Sequence, residues 1–308
     1  MPKLDESKKS AILFAVKRYS LHDGPGIRTT LFFKGCPLKC GWCHNPEGLS
    51  PDPELIYRLG RCIHCAACAA VCPEKALSIE DDAVLIDRNR CRISRCCTDA
   101  CPSNALEIAG DSYSLEAVME IIEQDIVFYD ESEGGVTLSG GEPLMQFEFV
   151  EDLLRMCRNH YIHTALDTSG YIQTERLMSI APFVKLFLYD LKIMDTVEHQ
   201  KATGVGSELI LENLKALDRA DYSLIIRIPV IPGLNDNVDN MKQIGQFLST
   251  LNHSYRIDLL PYHNLGEEKY KQLKKTSKFL NLNDISRDSL VKFQEILKDH
   301  SPEVIFGG

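Results

Sequence analysis

The sequence lacks the features that mark membrane, secreted and nucleic-acid-binding proteins. Its 308 residues contain no apolar run long enough to span a bilayer. The short apolar patch at residues 11–16 has no signal-peptide cleavage pattern after it and is better explained as a first strand. Positive charge is not in excess, since the net charge is −10, so only a local basic patch could contact nucleic acid. We therefore expect a cytoplasmic protein with no membrane and no nucleic-acid partner.

Cysteine, in contrast, is abundant. The chain has 12 cysteines in a composition that is otherwise ordinary for a globular protein, with 44% hydrophobic and 25% charged residues. Because disulfides are rare in the cytoplasm, this number favours metal or redox chemistry. Eleven of the 12 cysteines lie between residues 36 and 101. The exception, Cys157, lies in a helical pattern at residues 151–160 and is predicted to be a small buried hydrophobe.

The chain length suits one large domain, or one domain with a small insert. From residue 113, helices and apolar strands alternate about six times, which predicts a parallel sheet covered by helices, either barrel-like or doubly wound. The predicted strands are residues 11–16, 30–33, 135–140, 163–170, 185–192, 223–233 and 256–263. The predicted helices are residues 114–125, 147–160, 174–184, 208–220, 237–251 and 287–300.

Polar residues gather where five of these strands end. The strand ends are SGGEP at 139–143, DTSG at 167–170, DLK at 190–192, RIPVIPG at 227–233 and LLPYH at 259–263. Any one of them could be an ordinary turn. In parallel α/β folds, however, the loops after the strand carboxyl ends carry the site. The five together therefore predict one functional edge of one sheet.

Three cysteines form an incomplete metal-binding set. Cys36, Cys40 and Cys43 are separated by three and two residues, and no fourth cysteine follows nearby. A structural zinc site closes with four ligands, and His44 would strain to share a metal with the adjacent Cys43. If the three thiolates instead hold a [4Fe-4S] cluster, one iron stays open for a substrate or cofactor. Zinc is the weaker alternative.

The Cys-x3-Cys-x2-Cys spacing resembles the signature of the radical S-adenosylmethionine (SAM) enzymes. The resemblance implies that the open iron chelates the amino and carboxylate groups of SAM. The reduced cluster then cleaves SAM to methionine and a 5′-deoxyadenosyl radical. Residues 139–143 are similar to the GGEP strand end of that family, whose backbone and Glu meet the methionine amino group. The fold implied is a partial (β/α)6 TIM-like barrel of the α/β class.

Within that superfamily the chain resembles a glycyl radical enzyme activating enzyme. The matching stretches are residues 23–28, 42–45, 139–143, 167–170, 190–192 and 259–263. By this resemblance, the SAM contacts are Trp42, Cys43, His44, Gly141, Glu142, Asp190, Leu191, Lys192 and His263. A monovalent cation near the SAM carboxylate would lie at Asp167, Thr168 and Asp190, and the partner glycine loop at Asp23 and Arg28. Lys192 and His263 could alternatively be ordinary polar residues.

The cysteine-rich segment is predicted to be a ferredoxin-like insert. The run Cys62-x2-Cys65-x2-Cys68-x3-Cys72-Pro73 is the bacterial ferredoxin spacing, in which the fourth cysteine ligates the other cluster. The second half is irregular, because Ser94 stands at the second cysteine position and Cys96 is displaced beside Cys97. One pairing assigns Cys62, Cys65, Cys68 and Cys101 to the first [4Fe-4S] cluster and Cys72, Cys91, Cys96 and Cys97 to the second. A zinc ribbon is the alternative. Such an insert resembles those of activating enzymes outside the pyruvate formate-lyase type.

The predicted domains are a first barrel part (1–53), the insert with two clusters (54–109) and the barrel remainder (110–308). The predicted function is abstraction of a glycine Cα hydrogen on a partner glycyl radical enzyme, using three [4Fe-4S] clusters, SAM and an electron from flavodoxin or ferredoxin. A radical SAM enzyme that acts on a small molecule or RNA is the alternative, and a pure electron carrier is the third hypothesis. The sequence does not identify the partner.

Overall fold

The structure, a computed structural model, describes residues 10–81, 83–276, 282 and 285–307. Its strands are β1 Ser10–Ser20, β2 Arg28–Phe33, β3 Glu54–Tyr57, β4 Leu77–Glu80, β5 Ala83–Ile86, β6 Leu106–Ala109, β7 Asp111–Ser114, β8 Gly135–Gly140, β9 Thr164–Thr168, β10 Leu186–Asp190, β11 Leu224–Val230, β12 Arg256–Pro261 and β13 Val304–Phe306. Its helices are α1 Ala67–Val71, α2 Cys96–Asp99, α3 Leu115–Glu123, α4 Ile126–Ser132, α5 Phe147–Asn159, α6 Thr174–Ile180, α7 Thr196–Thr203, α8 Glu208–Arg219, α9 Val238–Leu248, α10 Leu265–Gln272 and α11 Arg287–Lys298. None of the helices within these ranges is long and apolar enough to cross a membrane.

One large sheet organises the chain, in the order β13-β12-β11-β10-β9-β8-β2-β1-β7. The strands from β2 to β13 along this order pair in parallel, as the alternating pattern predicts. Phe33 pairs with Gly140, Tyr189 with Thr168, and Asp190 with Arg227. This register brings the carboxyl ends of seven strands, including the five with polar ends, to one edge of the sheet.

The first strand runs the other way. β1 pairs antiparallel with β2, and β7 pairs antiparallel with β1. Residues 21–27 are too few to form the crossover that a parallel connection needs, which takes a dozen or more residues. The sheet is therefore mixed, with a parallel body and an antiparallel edge.

Helices cover the outer face of the sheet and bury the main core. In α5, Val150, Leu153, Leu154 and Cys157 recur at helical spacing, and each is 0% exposed. Burying each of these aliphatic side chains contributes about 1.5–3 kcal/mol. The prediction that Cys157 is a buried hydrophobe is confirmed.

Residues 54–109 form a small unit with its own core. The antiparallel pair β3–β6 joins Glu54 to Ala109 and so brings the two ends of the segment together. Its buried residues include Leu55, Val84 and the two cysteines Cys68 and Cys97. The domain boundaries at 53/54 and 109/110 stay a prediction, and residues 1–9, 82, 277–281, 283–284 and 308 lie outside the described residues.

Candidate functional site

The strand ends enclose a cavity of about 210 Å³ at the carboxyl edge of the sheet. The loop after β2 contributes the three clustered cysteines, and the loops after β8 to β12 contribute most of the remaining wall. The polar and thiol residues that line it are Cys36, Cys40, Cys43, His44, Asn45, Ser139, Asp167, Thr168, Ser169, Asp190, Lys192 and Arg227, together with Trp42, Gly140 and Gly141. The predicted edge is therefore where the structure places these side chains.

The three thiols lie in surroundings that disfavour an uncompensated charge. Burial raises the pKa of Cys36 and Cys43, and it raises the pKa of Cys40 to about 12. All three are free thiols in the structure. A bound metal cation stabilises thiolates against such desolvation. The donor set thus fits an iron–sulfur cluster, which would supply the missing positive charge.

Two glycines fix the cysteine loop to the end of β8. The Gly141 amide donates to the Phe33 carbonyl at 2.8 Å, and the Gly35 carbonyl accepts from the Glu142 amide at 2.7 Å. A Cβ atom at Gly141 would lie within 3.0 Å of the carbonyl oxygens of Gly35 and Gly48, a distance that real Cβ atoms essentially never show. Only glycine leaves room for this close approach, so Gly141 positions the loop.

Glu142 lies behind the cavity wall rather than on it. Its carboxylate accepts hydrogen bonds from Thr168 Oγ1 at 2.8 Å, the Ser169 amide at 2.9 Å and Ser169 Oγ at 2.7 Å. Burial raises the pKa of Glu142, and these hydrogen bonds oppose the shift. In this structure the carboxylate holds the β8 and β9 loops together.

Two pairs of opposite charge face the cavity. Lys192 Nζ donates to Asp190 Oδ2 at 2.6 Å, and Arg227 Nη1 lies 3.1 Å from Asp167 Oδ1. Ser139 Oγ also donates to Asp167 Oδ2, at 2.6 Å. Burial would lower the pKa of Lys192, but the Asp190 carboxylate raises it overall. A wall with both signs of charge suits a ligand that carries an amino and a carboxylate group.

The two predicted histidines stack on each other beside the cavity. The rings of His44 and His263 are 3.9 Å apart between centroids, with 20° between their planes. Burial, followed by the neighbouring His263 and Lys269, lowers the pKa of His44 to about 4, so its ring is neutral near pH 7. His44 Nε2 is buried without a hydrogen-bond partner among the described residues. His263 is exposed, and Leu191 is buried but does not line the cavity.

The loop that carries Asp23 and Arg28 lies at the opposite, amino end of β2. Arg28 is 0% exposed, and its guanidinium donates to Thr137 Oγ1 at 2.6 Å and to the Val136 carbonyl at 2.6 Å. Thr30 Oγ1 donates to Asp23 Oδ2 at 2.7 Å. A second cavity of about 310 Å³ is lined by Leu21, His22, Gly24, Pro25, Gly26, Leu188, Ile225, Arg227, Arg256 and Asp258. Arg227 thus reaches both cavities.

The insert brings together the predicted ligands of the first cluster. Cys62, Cys65, Cys68 and Cys101 line one pocket. In the other half, burial, followed by the nearby Cys91 and Cys72 thiols, raises the pKa of Cys97 to about 11. Cys96 is exposed, and its Sγ lies 3.7 Å from the Ser94 carbonyl oxygen. The structure thus groups three of the four predicted ligands of the second cluster.

Sequence reasoning gave no individual role to four polar residues of the strand-end cavity: Asn45, Ser139, Ser169 and Arg227. Ser139, Ser169 and Arg227 belong to strand-end stretches that the sequence does mark as polar. Their side-chain pairings, such as Arg227 with Asp167, depend on which strands are neighbours in the sheet. The strand order is not encoded in a local pattern.

Residues 22–207 match the family of 4Fe-4S single cluster domains. The choline trimethylamine-lyase activating enzyme of Oleidesulfovibrio alaskensis is 42% identical over 273 residues, which cover 86% of this chain and 88% of the relative. The trans-4-hydroxy-L-proline dehydratase activating enzyme of Clostridioides difficile is 40% identical over 300 residues, which cover 96% and 99%. Streptococcus suis SuiB, solved with its precursor peptide SuiA, shares the fold with a TM-score of 0.52 at 14% identity, covering 89% of this chain and 46% of SuiB.

The fold and the three-thiol cavity define an iron–sulfur enzyme of the radical SAM type. The chain belongs to the glycyl radical enzyme activating enzymes. The expectation that it is an activating enzyme, which cleaves SAM and generates a glycyl radical, is thereby confirmed. The comparisons do not support the alternatives of a small-molecule or RNA substrate or of a pure electron carrier.

Proposed function

We propose that the cavity at the strand ends binds SAM beside a [4Fe-4S] cluster held by Cys36, Cys40 and Cys43. The observation that carries this proposal is that the three buried thiols share one cavity with the Asp190–Lys192 and Asp167–Arg227 pairs. When bound, the cluster would supply an open iron and one electron for SAM cleavage. The surrounding sheet would be a partial (β/α)6 barrel.

The chain's own residues would orient SAM by charge and shape. The two carboxylates would face its amino and sulfonium groups, and Lys192 would face its carboxylate. His44, neutral near pH 7 and with Nε2 unpaired among the described residues, offers a ring face and a hydrogen-bonding atom to the adenine. Of the predicted SAM contacts, we assign Trp42, Cys43, His44, Gly141, Asp190 and Lys192, which line the cavity, to direct contact. Glu142, Leu191 and His263 do not line it and would support the contact residues from behind or beside the wall.

A monovalent cation would lie between Asp167, Thr168 and Asp190. Asp167 and Asp190 line one wall of the cavity, where a cation would offset their charge beside the SAM carboxylate. Burial raises the pKa of Asp167, although Arg227 opposes that shift. Among the described residues no three His, Cys, Asp or Glu side chains are grouped as a single-ion site, so this cation rests on the family resemblance.

The partner would be a glycyl radical enzyme whose glycine loop enters next to Asp23 and Arg28. The cavity beside Gly24, Pro25 and Gly26 leaves room for a backbone segment without a large side chain. Because Arg227 lines both cavities, its guanidinium would face the glycine loop and SAM together. The relatives act with different partners by name, so no particular one is assigned.

The insert would hold two further [4Fe-4S] clusters, three in the whole chain, and would receive electrons from a flavodoxin or ferredoxin. The pocket formed by Cys62, Cys65, Cys68 and Cys101 supports the first of them. The second would use Cys72, Cys91 and Cys97, with Cys96 as the fourth ligand that the cysteine count provides. Both clusters would lie within residues 54–109.

Replacing Cys43 by Ala tests the barrel site. We expect 5′-deoxyadenosine formation from SAM under dithionite to fall below detection, because the loss of one thiolate loosens the iron. Iron bound by the insert should remain. Cys157→Ala is the matched control, since Cys157 is buried under the sheet and is not part of the cavity lining. Normal SAM cleavage by the Cys43 variant would refute the assignment.

A further inference from the structure

The insert contains an internal structural repeat. Cys62, Cys68 and Cys72 recur 29 residues later as Cys91, Cys97 and Cys101. Each half has a short helix, α1 or α2, whose N-terminal flanking residue is left-handed, at Ala66 with φ 58° and Arg95 with φ 66°. His64 and Ile93 are also left-handed, with φ of 56° and 54°.

The repeat continues into the last cysteine of each half. The Ala76 amide donates to Cys72 Sγ at 3.3 Å, and the Ala105 amide donates to Cys101 Sγ at 3.2 Å. The two halves therefore share one backbone path, and residues at the same offset occupy equivalent positions.

This equivalence shows where the second half departs from the first. Ser94 is the counterpart of Cys65, and Cys96 is the counterpart of Ala67. Cys65 lines the pocket of the first cluster, whereas Ala67 does not. Cys96 is accordingly the first residue of α2, exposed, with its thiol directed to the Ser94 carbonyl. A hydroxyl thus stands where the first half has a thiol, and the extra thiol stands where the first half has no ligand.

We infer that the second insert cluster has one labile iron, at the corner between Ser94 and Cys96. This inference rests on the proposed second cluster, whose other three ligands are Cys72, Cys91 and Cys97. A serine hydroxyl is a poorer iron ligand than a thiolate. Cys96 could reach the iron only if the first turn of α2 gave up the backbone conformation that the two halves have in common. Oxidation of this cluster by one electron, from [4Fe-4S]2+ to the 3+ state, therefore releases Fe2+ and leaves [3Fe-4S]+.

The test uses the full chain with Cys36, Cys40 and Cys43 replaced by Ala, so that the barrel cluster, which also has an open iron, gives no signal. After anaerobic reconstitution, ferricyanide accepts the electron and becomes ferrocyanide, and [3Fe-4S]+ is counted by electron paramagnetic resonance. We expect about one such cluster per chain. Adding Ser94→Cys should lower the signal about fivefold, because the regular ligand is restored.

Cys65→Ser is the matched control, since it gives the first half the residue that the second half has. We expect it to raise the [3Fe-4S]+ count from about one to about two per chain.

Iron and sulfide content before oxidation report whether each variant is loaded. No [3Fe-4S]+ in a loaded parent, or a signal that Ser94→Cys leaves unchanged, would overturn the inference. If the chain without the barrel cysteines does not take up iron, the same measurement is made on the intact chain. There the barrel cluster gives a constant [3Fe-4S]+ signal, and Ser94→Cys should lower the total count by one cluster per chain. Failure of the second cluster to form at all would overturn the proposed second cluster itself, and it would show instead as a deficit of about four irons before oxidation.

Discussion

At the scale of single residues, Arg227 carries a nearly buried charge that nearby carboxylates balance. Its side chain is 16% exposed, lines both cavities of the sheet and pairs with Asp167. Burial alone would lower the pKa of this guanidinium, but Asp167 and Asp190 raise it overall. Arginine is therefore charged here at any working pH, and its removal would leave the Asp167 carboxylate with Ser139 as its remaining donor among the described residues.

We predict that Arg227→Met lowers the free energy of unfolding by about 3 kcal/mol, because breaking a buried ion pair strands the other charge. Urea unfolding of the anaerobic, cluster-loaded protein measures this. Adding Asp167→Asn to that variant should restore a good part of the loss, since the stranded charge is then gone. Equal stability of Arg227→Met and the native chain would show that the pair contributes little.

At the scale of elements, the approach of the β8 end to the cysteine loop decides whether the site forms. The Gly141 amide and the Glu142 amide donate to the carbonyls of Phe33 and Gly35, at 2.8 and 2.7 Å. Two segments more than 100 residues apart in sequence are thus joined backbone to backbone. A side chain at Gly141 would separate them.

We predict that Gly141→Ala reduces both iron retained at the barrel site and 5′-deoxyadenosine formation by about tenfold or more, since a shifted ligand shell weakens metal binding by that order. Gly60→Ala is the matched control, because no atom lies within 4 Å of a Cβ built there. Iron analysis after gel filtration, in a background that lacks the insert cysteines, separates the barrel site. A Gly141 variant that retains iron like the Gly60 control would contradict this account of the strand end.

The elements also show what the sequence could predict. Helix α5 and strands β8 to β12 follow from apolar runs and helical spacing, and polar strand ends predict the functional edge. Helix α10 could not be predicted in this way, because its sequence, LGEEKYKQ, has no apolar stripe. Strand β13 could not be predicted either, because it has only three residues. The 3.9 Å stacking of His44 on His263 likewise depends on contacts between segments that are distant in sequence.

At the scale of the whole molecule, helix α10 connects residues 54–109 with the strand-end cavity. On one side Lys269 Nζ donates to Asn45 Oδ1 at 2.8 Å, next to the cysteine loop. On the other side Arg58 Nη1 donates to Gln272 Oε1 at 3.2 Å, and Arg88 Nη2 donates to the Leu273 carbonyl at 2.7 Å. Residues 54–109 are therefore held against the same segment that contacts the three-cysteine loop.

These contacts suit two roles for residues 54–109, electron transfer to the three-cysteine loop or support of the fold, and the two roles differ in their dependence on the reductant. Without an electron path through residues 54–109, a protein reductant and the partner enzyme would compete for the strand-end cavity. We predict that replacing Cys62 and Cys65 with Ala slows glycyl radical formation strongly when flavodoxin or ferredoxin is the reductant. The same variant should keep much more activity with dithionite, which reaches the barrel site directly.

The comparison requires a variant that is folded and retains the barrel cluster, which circular dichroism and iron analysis establish. Arg58→Ala is a useful second variant, because it removes the contact with Gln272 and the ion pair with Glu107 without removing an iron ligand. If docking or stability were the role of the insert, Arg58→Ala and the double cysteine variant would both lose activity equally with either reductant. Electron transfer through the insert requires a different result. Activity should fall only with the protein reductant, and it should fall further in the cysteine variant than in Arg58→Ala. The reason is that the loss of a cluster interrupts the electron path, whereas dithionite bypasses that path.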